Sequence, residues 1–178
     1  MSTYERYRRG LFESGCSSSD DLRTGGADNV FTRLVTKEGL DRDQTNRSPL
    51  DFWIGTTCII FNPDILDRTD WFSYQGDQYG TTEPSTFSGR TSPADFIRDQ
   101  VESGFKNRSS NEVMFRIGIP VEKMMAIACD NAETRMEVID LLKDTGIRKV
   151  NGRSIDEFVL VARSWENLIR IAEGQLPE

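Results

Sequence analysis

Histidine is missing from all 178 residues. With it go the Ser-His-Asp and Cys-His triads, most catalytic zinc sites and the commonest general base near neutral pH. Cysteine is scarce. Cys16, Cys58 and Cys129 form an odd, widely spaced set that makes neither a disulfide framework nor a metal cluster. Long apolar runs are lacking as well: a stretch such as residues 57–61 is far too short to cross a bilayer. Residues 1–9 hold no apolar core of a secretory signal. The expectation is a cytoplasmic protein, or one delivered into the cytoplasm of a target cell, with no membrane partner. No GxxxxGK[ST] loop, no GxGxxG after a strand, no nucleophile elbow and no kinase motif set occurs, and Gly25-Gly26 alone reads as a turn.

What is present is globular in composition, with 37% hydrophobic and 29% charged residues. This length suits one domain with a real core. A net charge of −7 argues against indiscriminate binding to nucleic acid. That total leaves room for a local basic rim, which Arg90, Arg98, Lys106 and Arg108 would supply.

The pattern predicts an α+β fold over residues 1–178, with 1–27 a helix and a flexible loop leading into the core. Strands are expected at 29–36, 52–62, 112–117 and 125–129, where β-branched and aromatic residues concentrate. A helical turn is expected at 63–67, ahead of the aromatic segment Trp71 to Tyr74, which suits core or lid packing. Ser92-Pro93 marks the start of a helix running to about Ser103. Asp130 to Glu133 caps an amphipathic helix that closes near Gly146, and Ser164 caps a last helix to about Glu173. Residues 147–150, the Asn151-Gly152 turn and residues 158–161 read as a hairpin or paired strands. The long irregular stretch 76–90 is of a kind that more often serves function than mere connection.

Two residues carry most of the chemistry. Glu112 stands at the mouth of an otherwise apolar strand, after the small and basic loop 104–111. Its ordinary reading is an edge-strand carboxylate, with Arg116 pairing across the pleat. Its functional reading is a carboxylate at the low-dielectric edge of a core. Arg33 lies inside the apolar strand Val30 to Val35, where a guanidinium needs a partner: a structural carboxylate or a bound phosphate. Together they suit the binding and cleavage of an anionic glycoside. Ser85, Thr86, Phe87 and Ser88, after Tyr79-Gly80, offer hydroxyls and rings able to stack on a planar group, although Ser/Thr clusters are usually turn chemistry. Asp64, Asp67 and Asp70 miss the calcium-loop spacing and suit solvated or capping roles, so no metal is expected.

The segment Asn111 to Ala128, with its Asn-Glu-Val start and Ile-Gly-Ile-Pro, resembles the catalytic strand region of ADP-ribosyltransferases, toxin and effector types included. The resemblance spans roughly residues 28–163. It implies a split sheet core, mixed and antiparallel, with flanking helices. It implies that Glu112 is the catalytic glutamate and Arg33 the NAD-binding arginine. Ser85, Thr86 and Phe87 are loosely similar to the Ser-Thr-Ser strand of the Arg-Ser-Glu subgroup, and Tyr79 or Phe87 would stack on nicotinamide. The loop holding Lys106, Arg108 and Ser110 takes the place of the substrate-selecting turn. The implied activity is mono-ADP-ribosyl transfer from NAD to a macromolecular acceptor, with no metal and with an antitoxin or immunity protein as a compatible partner. The chain departs from the family pattern in three places, the first being a Ser-Thr-Ser match that is imperfect and closer to the glutamate than usual. Without histidine it cannot follow the His-Tyr-Glu subgroup. Ser110, two residues before the glutamate, removes the Glu-x-Glu pattern of arginine-modifying members. Two alternatives stand beside this reading: a non-catalytic acidic interaction or immunity-like module, and an NAD glycohydrolase without a macromolecular acceptor.

Overall fold

The computed structural model describes residues 29–36, 38, 57–74, 90–104, 112–116 and 118–175. The chain forms two compact units interleaved along the sequence: Met1–Asp43 with Leu66–Ile119, and Gln44–Ile65 with Pro120–Glu178. The fold is α+β.

In the first unit four strands make an antiparallel sheet. They are β1 (Val30–Arg33), β3 (Trp71–Tyr74), β4 (Arg90–Thr91) and β5 (Glu112–Phe115), in the order β1-β5-β3-β4. All four residues of β5 are buried, as befits an inner strand covered on both faces. Val113 and Phe115 share one face with Trp71, whose ring meets Phe96 edge-on at 5.7 Å and Phe115 at 6.3 Å. Phe96 is carried by helix α1 (Pro93–Glu102), which therefore lies over that face. The helix starts where expected. Ser92 is the N-cap and its Oγ accepts from Asp95 N–H at 3.2 Å, while Pro93 occupies the first turn. The chain leaves the helix through Ser103 and Gly104, whose φ of +63° suits glycine. On the other face Phe72 packs on its cross-strand partner Met114. The aromatic segment is thus a strand whose Trp71 and Phe72 belong to the core. Burying a ring of that size contributes about 4–6 kcal/mol before entropy is counted.

The second unit is built on a three-stranded mixed sheet. Strand β2 (Thr57–Phe61) pairs antiparallel with β6 (Met124–Cys129), and β9 (Val159–Val161) lies parallel to β6 on its other side. The parallel pair is joined by a crossover holding helix α2 (Ala132–Asp144), the hairpin β7 (Lys149–Val150) and β8 (Arg153–Ser154), and the short helix α3 (Ile155–Phe158). Period-two alternation divides β6 between two layers. Cys129, with its near neighbour Ile127, meets Ile139 of α2 and Ile155 of α3. Ala126 and Ala128 meet Leu168 and Ile171 of helix α4 (Trp165–Ala172). The alanine methyls leave room for α4 to sit close against the sheet. Helix α2 is capped by Asn131, whose Oδ1 accepts from Thr134 N–H at 2.9 Å, and α4 is capped by Ser164.

One expectation is corrected. Residues 147–150 do not pair with 158–161. Asn151 (φ 52°) and Gly152 (φ 80°) both take positive φ, as a two-residue type I′ turn demands, so the turn pairs only its immediate flanks. Ser154 then opens a capping box with Glu157 that turns the chain into α3, and residues 159–161 emerge beside β6 instead. Among the described residues no helix is long and apolar enough to cross a membrane.

Candidate functional site

Glu112 is the first residue of the inner strand β5 and only 8% exposed. Its cross-strand neighbours are Arg33 on β1 and Tyr74 on β3, and Tyr74 is in register with Arg90 on β4. One register row therefore runs Arg33, Glu112, Tyr74, Arg90 across the whole sheet. Directly opposed residues have Cβ atoms about 5 Å apart and project on the same face. This sets the half-buried Arg33 opposite the buried Glu112 in the sheet.

Arg33, and not Arg116, is the cation opposed to Glu112 in register. Four residues along one strand span about 13 Å, too far for Arg116 to meet Glu112. Arg116 is exposed past the end of β5. Its N–H donates to the Asp70 carbonyl at 3.0 Å, and its guanidinium sits 5.2 Å from the centroid of the Phe72 ring. The neighbouring row, Thr32, Val113, Ser73 and Thr91, serves the opposite face. There Thr32 Oγ1 donates to the Val113 carbonyl at 2.8 Å, while the buried Ser73 hydroxyl has no hydrogen-bond partner among the described residues.

The other expected contacts fall into two groups. Tyr79, Ser85, Thr86, Phe87, Lys106, Arg108 and Ser110 lie outside the described residues. Arg98, counted in the basic rim, is instead surrounded by carboxylates on its own helix: Asp95 at 2.8 Å, Asp99 at 3.7 Å and Glu102 at 4.0 Å. The hydrogen bond from Ser92, and then Arg98, hold the Asp95 carboxyl below its usual range. Two of the three aspartates, Asp64 and Asp70, are engaged by cations. Asp70 takes a two-pronged grip from Arg68, and Asp64 pairs with Lys123 at 2.6 Å. No group of side chains among the described residues is arranged to hold a metal ion.

Cys58 and Cys129 stand on adjacent strands but opposite faces, since Cys58 is in register with Ala128 and Cys129 with Thr57. Burial above all, and then proximity to Cys129, push the Cys58 thiol up to about 11. Burial raises Cys129 as well. Both remain protonated at neutral pH and are poor nucleophiles.

The second unit holds an open cleft of about 480 Å³ that the sequence did not disclose. Two of its polar donors, Asn151 and Arg153, are already committed. Asn151 Nδ2 donates to the carbonyls of Val121 (2.9 Å) and Met124 (2.8 Å). Arg153 donates to the carbonyls of Met125 (2.7 Å) and Glu157, and lies 5.5 Å from the Phe158 ring centroid. These contacts tie the β7–β8 hairpin to β6 and α3, and leave the cleft with Met124, Met125, Leu160 and Ile171 as apolar lining. The Asn-Gly turn was legible in the sequence, but the carbonyls it grips were not.

Fold and site together define an α+β protein with an arginine and a buried glutamate opposed at one end of an antiparallel sheet. No protein-family model, curated protein or solved structure matches the chain.

Proposed function

We propose that this protein is an NAD-dependent mono-ADP-ribosyltransferase. The observation that carries the proposal is the cross-strand opposition of Arg33 and the buried Glu112. It brings one cation and one carboxylate, far apart in sequence, to a single face of one sheet, an arrangement that suits the cleavage of an anionic glycoside. In the proposed reaction the nicotinamide–ribose bond breaks and nicotinamide leaves with the bonding electron pair. The ribose carbon then carries oxocarbenium character, as in glycoside hydrolysis. The Glu112 carboxylate stabilises that charge and orients a ribose hydroxyl. Arg33 grips the diphosphate, which suits a guanidinium fork. An acceptor nucleophile bonds to the ribose carbon and loses its proton. Nicotinamide needs no strong acid to depart, so a chain without histidine can perform this chemistry. Tyr79, Ser85, Thr86 and Phe87 complete the NAD site in this reading, while Lys106, Arg108 and Ser110 select a protein or nucleic-acid acceptor. The setting is cytoplasmic, and an antitoxin or immunity protein is a fitting partner.

A second reading rests on the same opposition: an arginine facing a buried glutamate also makes a structural ion pair in a non-catalytic interaction module. Incubating the protein and a cell lysate with NAD labelled in its ADP-ribose half separates the two. Transfer predicts label on macromolecules. Free labelled ADP-ribose alone indicates a glycohydrolase, and unconsumed NAD indicates the non-catalytic module.

A further inference from the structure

We propose that Asn151-Gly152 is a site of spontaneous deamidation that the folded β7–β8 hairpin holds in check, so that opening of the turn is recorded as an irreversible change of side chain. The inference is independent of the NAD-cleaving reading. Asn151 is exposed, and no other asparagine of the chain precedes a glycine. A glycine there leaves the backbone nitrogen open to attack the preceding side chain. The reaction needs only base and water. The Gly152 nitrogen, its proton lost to base, bonds to the Asn151 side-chain carbonyl carbon. The Cγ–Nδ2 bond breaks, the amide nitrogen takes up protons from solvent and leaves as ammonia, and a five-membered imide remains. Water then opens the imide at either carbonyl to give aspartate or isoaspartate.

Two features of the fold oppose ring closure. Positive φ at Asn151 (52°) and Gly152 (80°) sets the pair in a type I′ turn, which points the Gly152 nitrogen away from the Asn151 side chain. The leaving nitrogen is also tethered. Nδ2 donates to the carbonyls of Val121 (2.9 Å) and Met124 (2.8 Å), in the helical turn Val121–Lys123 and at the start of β6. The turn must therefore let go of both carbonyls before it can react. Once it has reacted, redocking is opposed. An aspartate carboxylate has only acceptors to offer those carbonyls. Isoaspartate lengthens the backbone of a turn whose register depends on two residues. The effect falls on the cleft, which Asn151 and Arg153 both line.

The test follows Asn151 of the full chain by site-resolved mass spectrometry at mildly alkaline pH, folded and unfolded in urea. The folded chain should react at least about tenfold more slowly, because two hydrogen bonds must break before the turn opens. Arg153→Gln removes the neighbouring tie to the Met125 carbonyl, so it should speed the reaction in the folded chain and leave the unfolded rate unchanged. Asn151→Asp, the product, should speed hydrogen exchange of the hairpin amides by about tenfold in a chain that stays folded. If that variant does not fold, the comparison is made on wild type refolded after partial deamidation in urea, where only the unmodified fraction should regain full protection. Equal rates in the folded and unfolded chain overturn the inference, as does an Asn151 stable in both. So does an Arg153→Gln variant whose hairpin amides exchange faster while Asn151 reacts no faster. Full protection of the hairpin in the deamidated chain overturns the claim that the change opposes redocking.

Discussion

Removing Arg33 should destabilise the protein more than removing a surface arginine, and removing Glu112 with it should restore much of the loss. The magnitude follows from the geometry. An exposed cross-strand ion pair contributes about 0.2–1 kcal/mol, whereas stripping one partner from a fully buried pair costs about 3–5 kcal/mol. Glu112 is 8% exposed and Arg33 half-buried, which places this pair between the two limits. We expect Arg33→Gln to cost about 2 kcal/mol and Arg33→Gln/Glu112→Gln about 1 kcal/mol or less. For a chain of this size 2 kcal/mol corresponds to about 4–8 °C in Tm. Urea unfolding of wild type, both single variants and the double variant gives the coupling energy directly. A coupling below about 0.5 kcal/mol would refute the reasoning, since it would mean that two residues opposed in register do not interact.

Two further outcomes follow from the packing. Trp71→Ala should cost about 3–5 kcal/mol in the same urea assay, because the ring is 2% exposed and wedged against Phe96 and Phe115; a loss under 1 kcal/mol would mean that it lies outside the core. The Cys58 thiol is raised in the folded state from 9.0 to about 11, so the unfolded chain gives up its proton first as pH rises. Its contribution is therefore whole below about pH 9 and lost toward pH 11, a fall of about 2–3 kcal/mol that Cys58→Ala should abolish. An unchanged pH profile in that variant would count against the burial of the thiol.

Local chemistry in the sequence disclosed most of the secondary structure. Ser92, Ser164 and the Asp130–Asn131 pair announce helix starts because a cap hydroxyl or amide satisfies N–H groups within three residues of itself. The Asn151-Gly152 turn is equally local. Ser154 and Glu157 carry a capping-box spacing that marks the start of α3 just as locally. Pairings between distant segments were hidden. The register that sets Arg33 against Glu112 also joins Thr32 to Val113, residues 81 positions apart, and no short-range pattern encodes it. The Trp71–Tyr74 strand was obscured for a related reason. It is four residues long, and its identity as a strand comes from β5 and β4 on either side. Glu112 was singled out from its own neighbourhood, while the identity of its neighbour came only from the sheet.

The most direct test of the central claim is macromolecular labelling by NAD carrying its label in the ADP-ribose half, comparing the wild type with a folded Glu112→Gln variant. Labelled acceptor is expected with the wild type, and a loss of about a hundredfold or more with the variant, the scale of removing one group that stabilises charge in a transition state. Equal labelling by the two proteins would remove Glu112 from the chemistry, and consumption of no NAD by the wild type would contradict the account as a whole.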